Sequence, residues 1–276
     1  MDPLREVVAT YVGGPERGSA AELWSRLLMS DRVDLALEAL QTKGVLRQAL
    51  PEVQAMVGFG GAGQGHKDLW AHTKLVVKQS AKVPSVRWAA LFHDVGKVSS
   101  FSKESGKVSF HKHEYVSARL FALAMGRTRL VDAETYAEAH FIVRNLGLLE
   151  AYASDWTDSA VRRLAKELGS HLERTLLLAR ADITTKHAHK RERNDRRLDE
   201  LARRVAEVRA RDAVVPPLPK GLGDALMAAF QIPPSKQLGD LKVALERAVD
   251  AGRLEAHQDA AYYVEFLSRN REEFSV

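Results

Sequence analysis

A chain of 276 residues and 30.6 kDa has room for one large domain or two or three small ones, and is long enough to bury most of its unfolded surface. Its 45% hydrophobic and 28% charged residues, the lack of any apolar run near the roughly 18 residues of a membrane span, and a charged start (MDPLREVVAT) exclude a membrane or signal-led reading and leave the cytoplasm as the expected location. The absence of cysteine excludes disulfides, thiolate zinc sites and a cysteine nucleophile, and the net charge of +5 is modest.

The pattern is helical along nearly the whole chain. SDRVDLALEALQTKG offers Ser30 as an N-cap, Val33, Leu37 and Leu40 on one face, and Gly44 as a stop. GFGGAGQG, residues 58–65, lacks the Gly-Lys-Ser/Thr and the preceding strand of a phosphate loop, and reads as a connection. RRLDELARRVAEVRAR carries Leu198, Leu201, Val205 and Val208 as one narrow apolar stripe. VVPPLPKGLG and QIPPSK interrupt the C-terminal part. No sustained alternation of β-branched residues, internal repeat or low-complexity tract is present, so the expected class is all-α. Composition divides the chain into a helical N-terminal region (1–59), a histidine-rich centre (60–190) and a basic, then proline-interrupted, C-terminal region (191–276).

Six of the ten histidines lie between His66 and His140. KDLWAHTKLVVKQ puts His72 on the same helical face as Leu69 and Val76. SVRWAALFHDVG puts His93 in line with the small residues Ala89 and Ala90, with Asp94 beside it and Gly96 as the expected helix stop. Two neutral imidazoles and a carboxylate aimed into a core need a shared partner, because a buried unpaired charge is costly; a divalent cation supplies one. His113, His140 and Asp182 each stand at the edge of an apolar helical stretch and extend the ordered set.

The series His72, His93-Asp94 and Asp182, with HDVGK as its local signature, resembles the HD phosphohydrolase superfamily. The segments DLWAHT, AALFHDVGK, FHKHEYVSA, EAH and ARADITTK are similar to the HD-containing C-terminal part of bacterial CCA-adding enzymes, the tRNA nucleotidyltransferases. That resemblance runs from about residue 20 onward and is strongest between Asp68 and Ser117. Two departures stand out. No Asp-x-Asp pair occurs to hold Mg²⁺ on an incoming triphosphate, so nucleotide addition by this chain alone is not expected. Gln64 stands where the family commonly has a histidine, with His66 nearby out of register.

The resemblance implies an HD-type helical core with helical N- and C-terminal extensions. It implies divalent metal, with two ions expected: His72, His93, Asp94 and Asp182 on one, His113 and His140 on the other, and Asp94 shared. A mixed histidine and carboxylate set favours Mn, Fe, Co or Ni, with Mg also admissible. Lys97 is expected to neutralise phosphoryl charge, and His111 to serve as general acid. Arg144 and Lys186, four residues after His140 and Asp182, are expected to extend the anion site. The expected substrates are nucleotide or RNA-terminal phosphate esters, with 2′,3′-cyclic phosphodiesters and 2′-nucleotides leading. A nucleoside monophosphate phosphatase and a non-catalytic RNA-binding or RNA-end-sensing protein are the alternatives. A (p)ppGpp hydrolase fits less well, because Gly96-Lys97 replaces the acidic pair of that group. Residues 186–211 hold ten Lys/Arg against five Asp/Glu, an excess equal to the charge of the whole chain, and form the expected RNA contact. The sequence gives no sign of oligomeric state.

Overall fold

The computed structural model describes residues 2–14, 17–61, 67–104, 107–213 and 216–274. Gln64 and His66 lie outside them, as does part of the glycine-rich connection. The chain forms two compact units, Met1–Val208 and Arg209–Val276. Among the described residues no helix is long and apolar enough to cross a membrane.

The first unit is helical, as the periodicity predicts. It opens with α1 (Pro3–Tyr11), α2 (Ala20–Leu28), α3 (Val33–Thr42) and the short α4 (Val45–Ala49) and α5 (Pro51–Gln54). Helix α3 buries Val33, Leu37 and Leu40 and is followed by Gly44 in the left-handed region. Its N-cap position is Arg32, two residues later than the Ser30 expected, and the Ser30 hydroxyl accepts from the Arg32 amide. Then come α6 (Leu69–Gln79), α7 (Pro84–Phe92), α8 (Lys97–Ser100), a hairpin of β1 (Phe101–Glu104) and β2 (Lys107–Phe110), and α9 (His113–Thr128). The unit ends with α10 (Ala133–Glu150), α11 (Asp158–Leu168), α12 (Leu172–Ala181) and most of α13 (Ala188–Ala213).

The hairpin is the departure from an all-helical reading. Its four-residue strands pair antiparallel, Phe101 opposite Phe110, and are too short to register as an alternating run.

One core joins the N-terminal helices to the centre. Trp24 of α2 meets Trp88 of α7 with ring centroids 5.9 Å apart, and Leu37, Val76, Phe92, Phe121 and Ile142 are buried in the same cluster. Residues 1–59 therefore share their packing with the histidine-rich centre, although composition separates them. Each such side chain contributes about 1.5–3 kcal/mol on burial. A second cluster packs the α13 stripe (Leu198, Leu201, Val205, Val208) against Leu149, Val161, Leu164 and Leu168. The second unit holds α14 (Leu222–Phe230), α15 (Lys236–Asp250), α16 (Ala260–Arg269) and α17 (Arg271–Phe274) around Leu226, Leu245, Tyr263 and Leu267. Pro216, Pro217 and Pro219 precede α14, and Pro233 and Pro234 stand between α14 and α15, where a missing amide and a fixed φ break helical hydrogen bonding.

Candidate metal centre

Three joints bring the polar residues together. Asp68 caps α6, its Oδ1 accepting from the Ala71 amide at 2.9 Å, and this sets the helix that carries His72. Buried Arg87 of α7 donates to the backbone carbonyls of Ser80 and Leu28, at 3.0 and 2.7 Å, which ties α7 to the ends of α6 and α2. Gln79 of α6 donates to the Ala181 carbonyl at 2.8 Å, so the end of α12 is held beside α6. Asp182 then emerges as the residue that ends α12.

The result is a closed group of donor atoms. His72, His93 and Asp182 each offer one atom within 4.8 Å of the others. The His72 Nε2 lies 3.0 Å from Asp182 Oδ1, and the His93 Nε2 lies 3.6 Å from the same oxygen. Asp94 Oδ2 completes the set at 3.6 Å from His72 Nε2 and 3.4 Å from His93 Nε2. His93 and Asp94 are both 2% exposed, so neither can rely on bulk water.

The outer nitrogens of both rings have partners of their own. His93 Nδ1 sits 2.8 Å from the Ala90 carbonyl, and His72 Nδ1 sits 3.1 Å from the Thr184 hydroxyl. A carbonyl can only accept, so Nδ1 of His93 carries a proton, and the lone pair of the neutral ring is on Nε2. Two imidazole nitrogens and two carboxylates converging in a buried space are a donor set that fits a divalent ion. The electrostatics of the protein alone agree. Burial opposes charge on His93, but Asp94 and then Asp182 outweigh it and push its pKa up to about 10. Burial would raise the Asp94 and Asp182 carboxyls, yet their imidazole neighbours hold both below the usual carboxylate range. The centre is built to contain positive charge.

Gly96 has a different role from the expected helix stop. Helix α7 already ends at Phe92, and Gly96 has an ordinary helical φ of −67°. What matters is space: a Cβ there would lie 2.3 Å from the His113 carbonyl and 2.7 Å from the Ser117 amide. The Gly96 amide donates to the Ser117 hydroxyl at 2.9 Å. This close approach sets the start of α9 against the His-Asp turn and leaves His113 Nε2 3.5 Å from Asp94 Oδ1.

The other expected residues divide. Lys97 Nζ pairs with Asp94 Oδ2 at 2.7 Å, and this partner outweighs burial and raises its pKa. His140, half-buried on α10, packs its ring 5.7 Å from Tyr136 and makes no hydrogen bond or ion pair among the described residues. Burial and then Arg144 lower its pKa. Arg144 is exposed and lies over the Tyr115 ring, 5.2 Å from its centroid. Lys186 is exposed and not one turn on from Asp182, because α12 has ended before it. His111 is exposed in the turn after β2. Neither Lys186 nor His111 is hydrogen-bonded or ion-paired to the cluster.

Several site residues carried no sequence signal. A cavity of about 340 Å³ opens over the centre, lined by His72, Asp94, Asp182, Lys97, Lys67, Leu69, Phe59 and Phe110. Lys67 donates to Thr184 at 3.1 Å, and Thr184 also meets His72. Glu150, which ends α10, shares a second recess with Asp182; desolvation and then the Asp182 charge raise its pKa. Thr184 could have been read from its place two residues after Asp182. The phenylalanines arrive through a loop and a hairpin and have no spacing to find.

The basic helix α13 is less free than its composition implies. Arg197 donates to the carbonyls of Leu149, Glu150 and Tyr152 at the end of α10. Arg204 donates to the Ser154 and Trp156 carbonyls and pairs with Asp158 at 3.2 Å. Arg196 and Arg203 are exposed and pair with Glu192 and Glu207.

A family model described as HD domain matches residues 69–208. The A-adding tRNA nucleotidyltransferase of Deinococcus radiodurans is 29% identical over 240 residues, covering 84% of this chain and 53% of that protein. The CC-adding tRNA nucleotidyltransferase of Thermus thermophilus is 28% identical over 265 residues, covering 94% of this chain and 58% of that protein. The Multifunctional CCA protein of Pseudomonas fluorescens is 36% identical over 95 residues, 33% of this chain and 23% of that protein. The chain thus spans about half the length of the first two relatives.

Proposed function

Since the chain belongs to the HD domain family, we propose that it is a metal-dependent phosphohydrolase whose substrate is a phosphate ester at a nucleotide or RNA end. The observation that carries this is the convergence of His72, His93, Asp94 and Asp182 under a cavity that also presents Lys97. The relatives' names refer to tRNA, which favours an RNA terminus and its 2′,3′-cyclic phosphate or 2′-phosphate as substrate.

A divalent ion held by the four residues would supply Lewis acidity toward a phosphoryl oxygen and would acidify water. The residues themselves do the rest. Ala90 and Thr184 fix the two rings with Nε2 inward. Lys97 anchors on Asp94 and faces the cavity, where its ammonium can neutralise phosphoryl charge as the water oxygen–phosphorus bond forms and the ester bond breaks. The leaving ester oxygen takes up the proton that the attacking water gives up and departs as a hydroxyl. His113, against the other Asp94 oxygen, is the residue through which a second ion would be held. His140 is proposed as its further ligand, from the resemblance alone.

A cavity of about 340 Å³ is at the small end of ligand sites, which span about 300–1,000 Å³, and this also suits a nucleoside monophosphate phosphatase. Initial rates with Mn²⁺, Co²⁺, Ni²⁺ and Mg²⁺ on adenosine 2′,3′-cyclic phosphate, 2′-AMP and 5′-AMP separate the two. Cleavage of the first two favours the RNA-end reading, cleavage of 5′-AMP alone favours the phosphatase, and inertness toward all three with every ion refutes both.

A further inference from the structure

The cavity over the metal centre is chemically two-sided. Its lining is polar at His72, Asp94, Asp182, Lys67 and Lys97 and apolar at Phe59, Leu69 and Phe110. A phosphate needs only the first of these surfaces.

The aromatic flank is held from several directions. Phe59 follows α5, and its carbonyl accepts from the Leu69 amide at 3.0 Å, fixing it at the entrance to the histidine-bearing α6. Phe110 is the last residue of β2 and is paired in register with Phe101. The Phe101 ring meets both others, edge-on to Phe59 with centroids 5.8 Å apart and tilted against Phe110 at 5.9 Å. Phe101 is 39% exposed, and Phe59 and Phe110 are only half-buried. These rings are costly to leave near water in a chain that buries its large aromatics elsewhere, such as Trp24, Trp88 and Phe121. Lys97 Nζ lies 5.7 Å from the Phe110 ring centroid, so the cation that faces Asp94 also marks where the aromatic flank meets the polar one.

We infer that Phe59 and Phe110 form a stacking wall for a nucleobase, so that the centre takes phosphate esters that carry a base over esters of the bare sugar. This rests on the phosphohydrolase reading and narrows its substrate class. Both rings line the cavity and keep part of their surface accessible; they offer apolar contact that any base can use, and stacking of this kind tolerates all four bases. The hairpin therefore serves recognition, through Phe110, and sits between Lys97 and His113 for that reason.

The test compares adenosine 2′,3′-cyclic phosphate with the base-free 1-O-methylribose 2′,3′-cyclic phosphate, using the full chain and Mn²⁺. The wild type should favour the nucleoside ester by roughly 10- to 100-fold in kcat/KM, mostly through KM, the size expected for one stacked base. Phe110→Ala and Phe59→Ala should each shrink that ratio, and Phe110→Trp should keep it, which shows that a change of ratio does not come from a misfolded hairpin. Equal turnover of the two esters by the wild type, or a ratio unmoved in both alanine variants, overturns the wall while leaving the hydrolase intact. If neither ester is cleaved, the cyclic-phosphate substrate is wrong, and equilibrium dialysis of 5′-AMP and ribose 5-phosphate decides the wall. Tighter binding of 5′-AMP that is lost in Phe110→Ala supports it; equal binding of the two, or none, overturns it.

Discussion

His72 Nε2 and His93 Nε2 face each other at 3.4 Å, one from the first turn of α6 and the other from the turn after α7. Two protonated nitrogens would repel at that distance and two lone pairs would leave it empty of charge, so a single cation or proton is what the pair can share. Asp94 and Asp182 supply the compensating negative charge.

The metal-free protein should consequently be sensitive to alkali. The folded pKa of His93, about 10, exceeds the ordinary value of 6.5. Its contribution to stability is fully present below pH 6.5 and is lost as pH rises from there through about 10. Thermal unfolding of chelator-treated protein should show Tm falling across that window, and the fall should be smaller in His93→Gln. A Tm profile identical in both proteins would remove the charged imidazole from the account.

Gly96→Ala should destabilise the protein although its backbone angles suit alanine. The added methyl meets the His113 carbonyl and Ser117 amide, which are backbone and cannot swing aside. Overpacking of this kind costs about 1–3 kcal/mol, measurable as a lower urea midpoint at unchanged slope. A midpoint like the wild type's would mean that α9 shifts freely.

Lys97→Ala should keep its metal content and lose turnover by about 10²-fold, the size of one charge-stabilising donor. Loss of metal together with activity would instead make Lys97 a support for Asp94.

Arg204→Ala should cost stability and not RNA affinity, because its guanidinium satisfies two carbonyls and Asp158. The RNA contact that the sequence leads one to expect at residues 186–211 then falls to its exposed cations. Reversing Lys190 and Arg193 to Glu should weaken binding of a single-stranded RNA and flatten its log–log salt slope by about 0.7 per lost phosphate contact. Unchanged affinity at low salt would remove this helix from the RNA interface.

Much of this was legible where the signal is local. Spacing puts His72 and His93 on inward faces and the 198–208 stripe announces a packed helix face, but the helix stop expected at Gly96 falls earlier, at Phe92. Reading four residues onward from Asp182 to Lys186 fails because the helix stops at Ala181. Arg197 and Arg204 looked like surface charge because carbonyls 45 to 50 residues away leave no trace in a charge count. Phe59 and Phe110 reach the centre through tertiary packing alone.

The most direct measurement is of bound metal and turnover together, in untagged wild type and in His93→Ala and Asp94→Ala. The account predicts a divalent ion in the wild type by elemental analysis, hydrolysis of adenosine 2′,3′-cyclic phosphate or 5′-AMP that chelation abolishes, and loss of both metal and turnover in each variant. Full turnover in either variant, or in chelated wild type, would contradict it.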